Sequence, residues 1–219
     1  LCLSQLLITT TEKQNLKAYD LTEHIFRFAA WSASTAASSS KTCRFKVDKG
    51  RQILIDSGLK KLAEGFHNLK DVEEFDAWHD RKCMELKKKA KYILKEASAQ
   101  KEEKNFTYGI AAKLLNCYLK TIFVIQFTGS LSTAERKKVG AIHPPIDRLL
   151  LNGIRANLNA LYDESQIATK RKFWKGEDIQ SWSLYEAENY KKVISEIKQI
   201  QKYRKQPLWN IEALWRGYQ

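Results

Sequence analysis

The sequence predicts an all-α protein. Its 219 residues contain only nine glycines and three prolines to interrupt them, while Lys, Leu, Ala and Glu, all good helix formers, are abundant. Apolar residues recur at helical spacing over several long stretches, and no stretch shows the strict alternation of a half-buried strand. At 43% hydrophobic and 29% charged residues, the chain has enough apolar surface for a single helical unit spanning residues 1–219.

The elements follow in order. Asp20-Leu21-Thr22-Glu23 reads as a helix start, with a capping residue and an early acid ahead of Ile25, Phe26, Phe28 and Trp31. Small residues from Ser32 to Ser40 follow, which would let a second helix approach closely. Val47 to Ser57 predicts a short helix stopped by Gly58, and Leu59 to Phe66 another. Asp71 to about Ala97 predicts a long amphipathic helix, with Arg81, Lys82, Lys87, Lys88, Lys89, Lys91 and Lys95 on its polar side. Leu114 to Val124 is an apolar helix, and Gln126 to Val139 a polar connection containing the basic run Arg136-Lys137-Lys138. A helix runs from Asp147 to Leu161, Lys170-Arg171-Lys172 forms a basic turn, Ser181 to Tyr203 is helical, and Pro207 opens a last short helix.

The net charge of +13 makes polyanions the natural partners, nucleic acid ahead of a membrane surface. Cys2, Cys43, Cys83 and Cys117 form no Cys-x-x-Cys pair and no zinc spacing, so buried reduced thiols, a cytoplasmic setting and no metal are expected. The apolar start, Leu1 to Ile8, is too short to span a bilayer and lacks the basic flank of a signal peptide, so no membrane role is expected.

The chemistry concentrates between Phe106 and Leu151. Lys113 stands in the expected first turn of a helix, where a cation opposes the helix dipole; an anion bound there by the N–H groups of Gly109, Ile110, Ala111 and Ala112 would explain it. Asp147 follows Pro144-Pro145 at another helix start. An aspartate there is first of all a cap, but the rigid corner also gives a reactive carboxylate the mount it needs.

Gly109-Ile110-Ala111-Ala112-Lys113, then an apolar helix, then Pro145-Ile146-Asp147 resembles the signature of the helix-hairpin-helix DNA glycosylases. In that family a hairpin Leu-Pro-Gly-Val-Gly-x-Lys precedes a buried helix and a Pro-Val-Asp helix start. The chain departs from the pattern at Thr107, Tyr108 and Ala111, and its link between the two half-motifs is longer. The cysteine cluster of the iron–sulfur members is missing.

The resemblance implies two closely packed helical lobes about the hairpin, with a DNA-binding cleft between them. It implies a monomer without cofactor that flips a damaged or modified base out of duplex DNA and cleaves its N-glycosidic bond, in repair or in defence against phage DNA. Asp147 would be the catalytic carboxylate and Lys113 the lyase nucleophile if neutral. Tyr108, Gly109, Ile110, Ala111, Ala112, Lys120, Lys137, Lys138 and His143 would contact DNA. His143 also has a plainer reading as a hydrogen-bonded corner residue. Trp31, Trp78, Trp174, Trp182, Trp209 and Trp215 are expected to be mostly core, with one or two free to stack on a base; Trp174, beside the basic turn, is the one expected to be exposed. The alternatives are a non-catalytic basic nucleic-acid-binding protein and a helical assembly protein that uses its tryptophans.

Overall fold

A computed structural model describes residues 20–37, 45–96, 106–125 and 131–215. Among them the secondary structure is entirely helical. Cys2, Cys43, Lys41 to Arg44, Ser38 to Ser40, the apolar start and Gly129-Ser130 lie outside the described residues.

Helix α1 is Leu21–Ala37. Asp20 Oδ1 accepts the Glu23 N–H at its start (2.8 Å), as a capping acid should. Helix α2, Val47–Asp56, ends ahead of Gly58 and is followed by 3-10 turns at Leu59–Glu64 and Phe66–Asn68. Helix α3 is the long amphipathic Val72–Glu96.

Helix α4, Tyr108–Leu119, continues as a π-helical turn, Lys120–Val124. All twelve residues of α4 are buried. It packs against α1 and α3 and against the later helix Ala187–Arg204, and it is the axis of the core. Ala29, Ala30 and Ala33 of α1 are 0 to 1% exposed. A Cβ on Gly50 of α2 would sit 3.1 Å from that of Ala30, so small residues let α1 and α2 lie close here; of the run expected to pack, Ser32 to Ser40, only Ala33 is among these three.

Helix α5, Thr133–Gly140, lies within the stretch expected to be only a polar connection. A capping box closes its start: Ser132 Oγ accepts the Glu135 N–H, and Glu135 accepts the Ser132 N–H. Helix α6, Arg148–Ala156, starts at Asp147 and stops at Asn157, so the single helix expected to Leu161 is broken, with a short α7 at Leu158–Leu161.

Helix α8, Glu164–Lys175, contains Lys170, Arg171 and Lys172, which are therefore helical and not a turn. After α9 (Glu177–Gln180) comes a 3-10 turn, Trp182–Leu184, and only then helix α10, Ala187–Arg204. The last element, Leu208–Leu214, is 3-10. No helix among the described residues is long and apolar enough to cross a membrane.

Candidate functional site

Two close approaches build the site, and each depends on a glycine. A Cβ on Gly109 would sit 2.1 Å from the Trp182 carbonyl oxygen, and one on Gly153 would sit 2.0 Å from the Leu214 carbonyl oxygen. The first lets the 3-10 turn bearing Trp182 press against α4. The second brings the last 3-10 segment, which contains Glu212 and is followed by Trp215, onto α6.

Between these elements lies a partly open cavity of about 580 Å³. Lys113, Cys117, Asp147, Leu150 and Trp182 are its buried wall residues, while Phe28, Trp31, Arg148 and Ile125 are exposed parts of its lining. Its size falls in the range of small-molecule sites.

Lys113 and Asp147 meet on the inner wall. Lys113 Nζ donates to Asp147 Oδ2 at 2.7 Å. Asp147 Oδ1 accepts the Leu150 N–H (2.9 Å) and the Trp215 Nε1–H (3.1 Å). The aspartate is thus both the cap of α6 and one half of a buried ion pair; its capping role leaves Oδ2 for the lysine. The Lys113 ammonium also lies 5.2 Å from the centre of the Trp182 ring, within cation–π range. One face of the site is therefore charged, and the rest is mainly apolar, with Phe28, Trp31, Trp182 and Trp215 its aromatic members.

A second pair stands beside the first. Lys120, on the π-helical turn, bonds to Glu212 Oε2. Glu212 Oε1 is buried and has no hydrogen-bond partner. Burial pushes the Glu212 carboxyl above its usual range; Lys120 and Lys113 act against this, and Asp147 adds to it. Cys117 is also in the wall, its thiol pushed up by burial to about 11. Arg148 adds an exposed cation to the lining. Glu212, Trp31, Trp182, Trp215 and Arg148 are the site residues that sequence reasoning missed.

The structure corrects several expectations. Tyr108, Gly109, Ile110, Ala111 and Ala112 are buried inside α4 and offer no surface to DNA. The helix already begins at Tyr108, so Lys113 stands in its second turn. The Gly109 N–H donates to the Tyr185 carbonyl, that of Ile110 to Thr107 Oγ1, and that of Ala111 to the Thr107 carbonyl, so none is left for a phosphate. The Tyr108 hydroxyl bonds to Asp80 (2.8 Å).

His143 is 3% exposed, and its ring nitrogens bond to the Tyr190 hydroxyl (3.1 Å) and to Asp76 (3.0 Å), so it is a structural corner residue and not a DNA contact. Lys138 is engaged by Asp71 and the Leu69 carbonyl, whereas Lys137 is exposed. Trp174, expected outside, is 1% exposed with its Nε1–H donated to Tyr162; the exposed tryptophan is Trp31, at 51%, in the cavity lining. The described thiols, Cys83 and Cys117, are free and buried. Among the described residues no cluster of His, Cys, Asp and Glu could hold a metal ion.

No family model, curated protein or solved structure matches the chain.

Proposed function

We propose that the protein is a DNA glycosylase of the helix-hairpin-helix type, acting on a damaged or modified base. The observation that carries the reading is the convergence of Lys113 and Asp147, 34 residues apart, on the wall of one aromatic-lined cavity. On this reading two closely packed lobes flank the cavity, duplex DNA crosses its mouth, and Arg148 and Lys137 face phosphates.

The flipped base enters the cavity and stacks on exposed Trp31. The C1′–N bond breaks, and its electron pair leaves with the base. The Asp147 carboxylate stabilises the cationic sugar. In the hydrolytic branch water adds its hydroxide to C1′, and its proton ends on the base. In the lyase branch Lys113, having passed a proton to Asp147, attacks C1′ as the base leaves and gives a proton to that base; Asp147 then returns its proton to O4′ as the C1′–O4′ bond breaks, and the protonated Schiff base that results permits strand cleavage. The same cavity and charge serve repair or defence against phage DNA.

The test is incubation of the protein with duplexes carrying single modified bases, then alkali and strand sizing. The proposal expects alkali-labile sites at the modified base. Salt-sensitive binding with no cleavage across the set would instead support a non-catalytic nucleic-acid-binding protein, with Lys113–Asp147 a structural pair.

A further inference from the structure

Helix α1 carries a row of three rings that the proposed excision chemistry uses only at one end. His24, Phe28 and Trp31 follow one another at helical spacing along its outer side. The His24 and Phe28 rings are stacked with centres 6.3 Å apart, and those of Phe28 and Trp31 are tilted at 5.9 Å. All three residues are exposed, Phe28 by 40%. Phe28 and Trp31 line the cavity, and exposed Ile125 and Leu149 continue its apolar rim. The row thus leads along the outside of α1 to the cavity mouth. A contiguous exposed patch of this kind marks a surface for a partner with apolar faces of its own.

The charge around the row says which partner. Arg27 and Arg51 share the one carboxylate of Glu23, so that trio is positive. Exposed Arg148 adds a cation at the rim. In a chain of net charge +13 a second copy is repelled, whereas an anion with flat apolar faces is drawn in. Unpaired nucleotides supply both phosphates and bare base faces. A fully paired duplex does not, because each base face is covered by its neighbours and only edges and phosphates remain outside. Ring spacings of 5.9 and 6.3 Å also exceed the about 3.4 Å step of a stacked strand. Neighbouring bases can use successive rings only where their own stacking is undone. The hairpin offers a duplex no grip in compensation, since the N–H groups of Gly109, Ile110 and Ala111 are bonded within the protein.

We propose that the His24–Phe28–Trp31 row is a stacking platform for unpaired bases beside the target, so that the preferred substrate is a bubble or a single strand and not fully paired DNA. The modified base enters the cavity past Trp31, and its unpaired neighbour lies on Phe28. The substrate preference rests on the glycosylase reading, whereas the platform itself is read by binding alone.

The experiment measures binding of the full chain to one unmodified oligonucleotide by fluorescence anisotropy, at one salt concentration. The oligonucleotide is offered as a single strand, as a duplex with a short central bubble and as a fully paired duplex. Strand and bubble are expected to bind about tenfold more tightly than the paired duplex. Phe28→Ala should lower affinity for strand and bubble on the order of tenfold and shrink the preference to match, and Phe28→Tyr, which keeps a stacking ring, should restore both. His24→Ala, at an exposed position, should cause a smaller loss of the same preference, and serves if the Phe28 variant folds poorly. A wild type that binds paired duplex as tightly as strand would overturn the platform, as would a Phe28→Ala variant that weakens all three forms equally or none. Self-association that Phe28→Ala abolishes in sedimentation, with strand binding intact, would overturn it too.

Excision is then measured on the same three forms carrying uracil, hypoxanthine, 8-oxoguanine or ethenoadenine. Faster excision from strand and bubble supports the substrate preference. Equal rates in all three forms sink that preference and leave the glycosylase reading standing. A binding preference with no excision of any base sinks the glycosylase reading and the substrate assignment with it, and leaves the row as a single-strand binding surface.

Discussion

Two polar clusters hang from the same helix, and they are built in opposite ways. One, centred on Asn116, is buried except at its Asp76 end. Its Nδ2 donates to the Pro144 carbonyl (3.0 Å) and the Tyr190 hydroxyl (2.9 Å), while Oδ1 pairs with His79 Nε2 (2.7 Å). Tyr190 and Asp76 hold His143, and His79 also reaches Cys83. One proton assignment serves the chain: His79 Nε2–H donates to Asn116, the Tyr190 hydroxyl donates to His143 Nδ1, and His143 Nε2–H donates to Asp76.

The other cluster, three residues earlier along the helix, opens into the cavity. There Lys113, Asp147, Lys120 and Glu212 form two ion pairs, with one carboxylate oxygen left unpartnered. A closed network fixes a core, whereas one that borders a cavity leaves its charged groups within reach of a bound molecule. The contrast is what separates a structural polar cluster from a candidate reaction centre.

If the contrast is right, substitutions on the two sides fail differently. The largest effect is expected from Lys113→Ala, which, on the proposed lyase chemistry, should abolish the borohydride-trapped adduct with DNA and cut excision by about 1000-fold. An adduct of undiminished yield would place the nucleophile elsewhere. Next, Asn116→Leu should destabilise the fold by about 3 kcal/mol, because it strands the partners of several buried hydrogen bonds, yet leave excision per folded molecule unchanged. Urea melts and single-turnover assays together check this, and an excision defect in the folded fraction would blur the two regions.

Gly153→Ala should cost about 1–3 kcal/mol through its clash with the Leu214 carbonyl. It should also reduce excision about tenfold by displacing Glu212 and Trp215. The smallest effect is a pH dependence confined to the Asn116 cluster. Burial, the largest cause for both histidines, holds His79 and His143 below the usual histidine range. The folded state thus resists protons that the unfolded chain accepts. Their contribution is complete above the unfolded value near 6.5 and is lost as the pH falls below it. Urea melts across that window check it, and Asn116→Leu should change the slope.

The sequence made some of this visible and hid the rest for physical reasons. Helix starts with local caps were readable, Asp20 and Asp147 among them, because a cap is a contact within four residues. Lys113 and Asp147 were both identifiable, although the reason given for Lys113 was wrong: α4 is buried, and its lysine answers a carboxylate and not a phosphate.

Helix α5 went unread although Ser132-Thr133-Ala134-Glu135 is a capping-box pattern, because Val139 is its one buried residue and so no apolar period marks it. Trp174 was misplaced because basic neighbours in sequence say nothing about which side of a helix a residue occupies. Glu212, Trp31 and Trp182 reach the cavity from three distant segments, and nothing local in the sequence announces that they meet.

The most direct test of the central claim compares wild type and Asp147→Asn on one modified duplex, measuring binding and single-turnover excision with folding checked by circular dichroism. Asparagine still caps α6 but has no carboxylate for the sugar cation. The account predicts retained DNA affinity and excision reduced by about 1000-fold. Excision at the wild-type rate by the folded variant would contradict it.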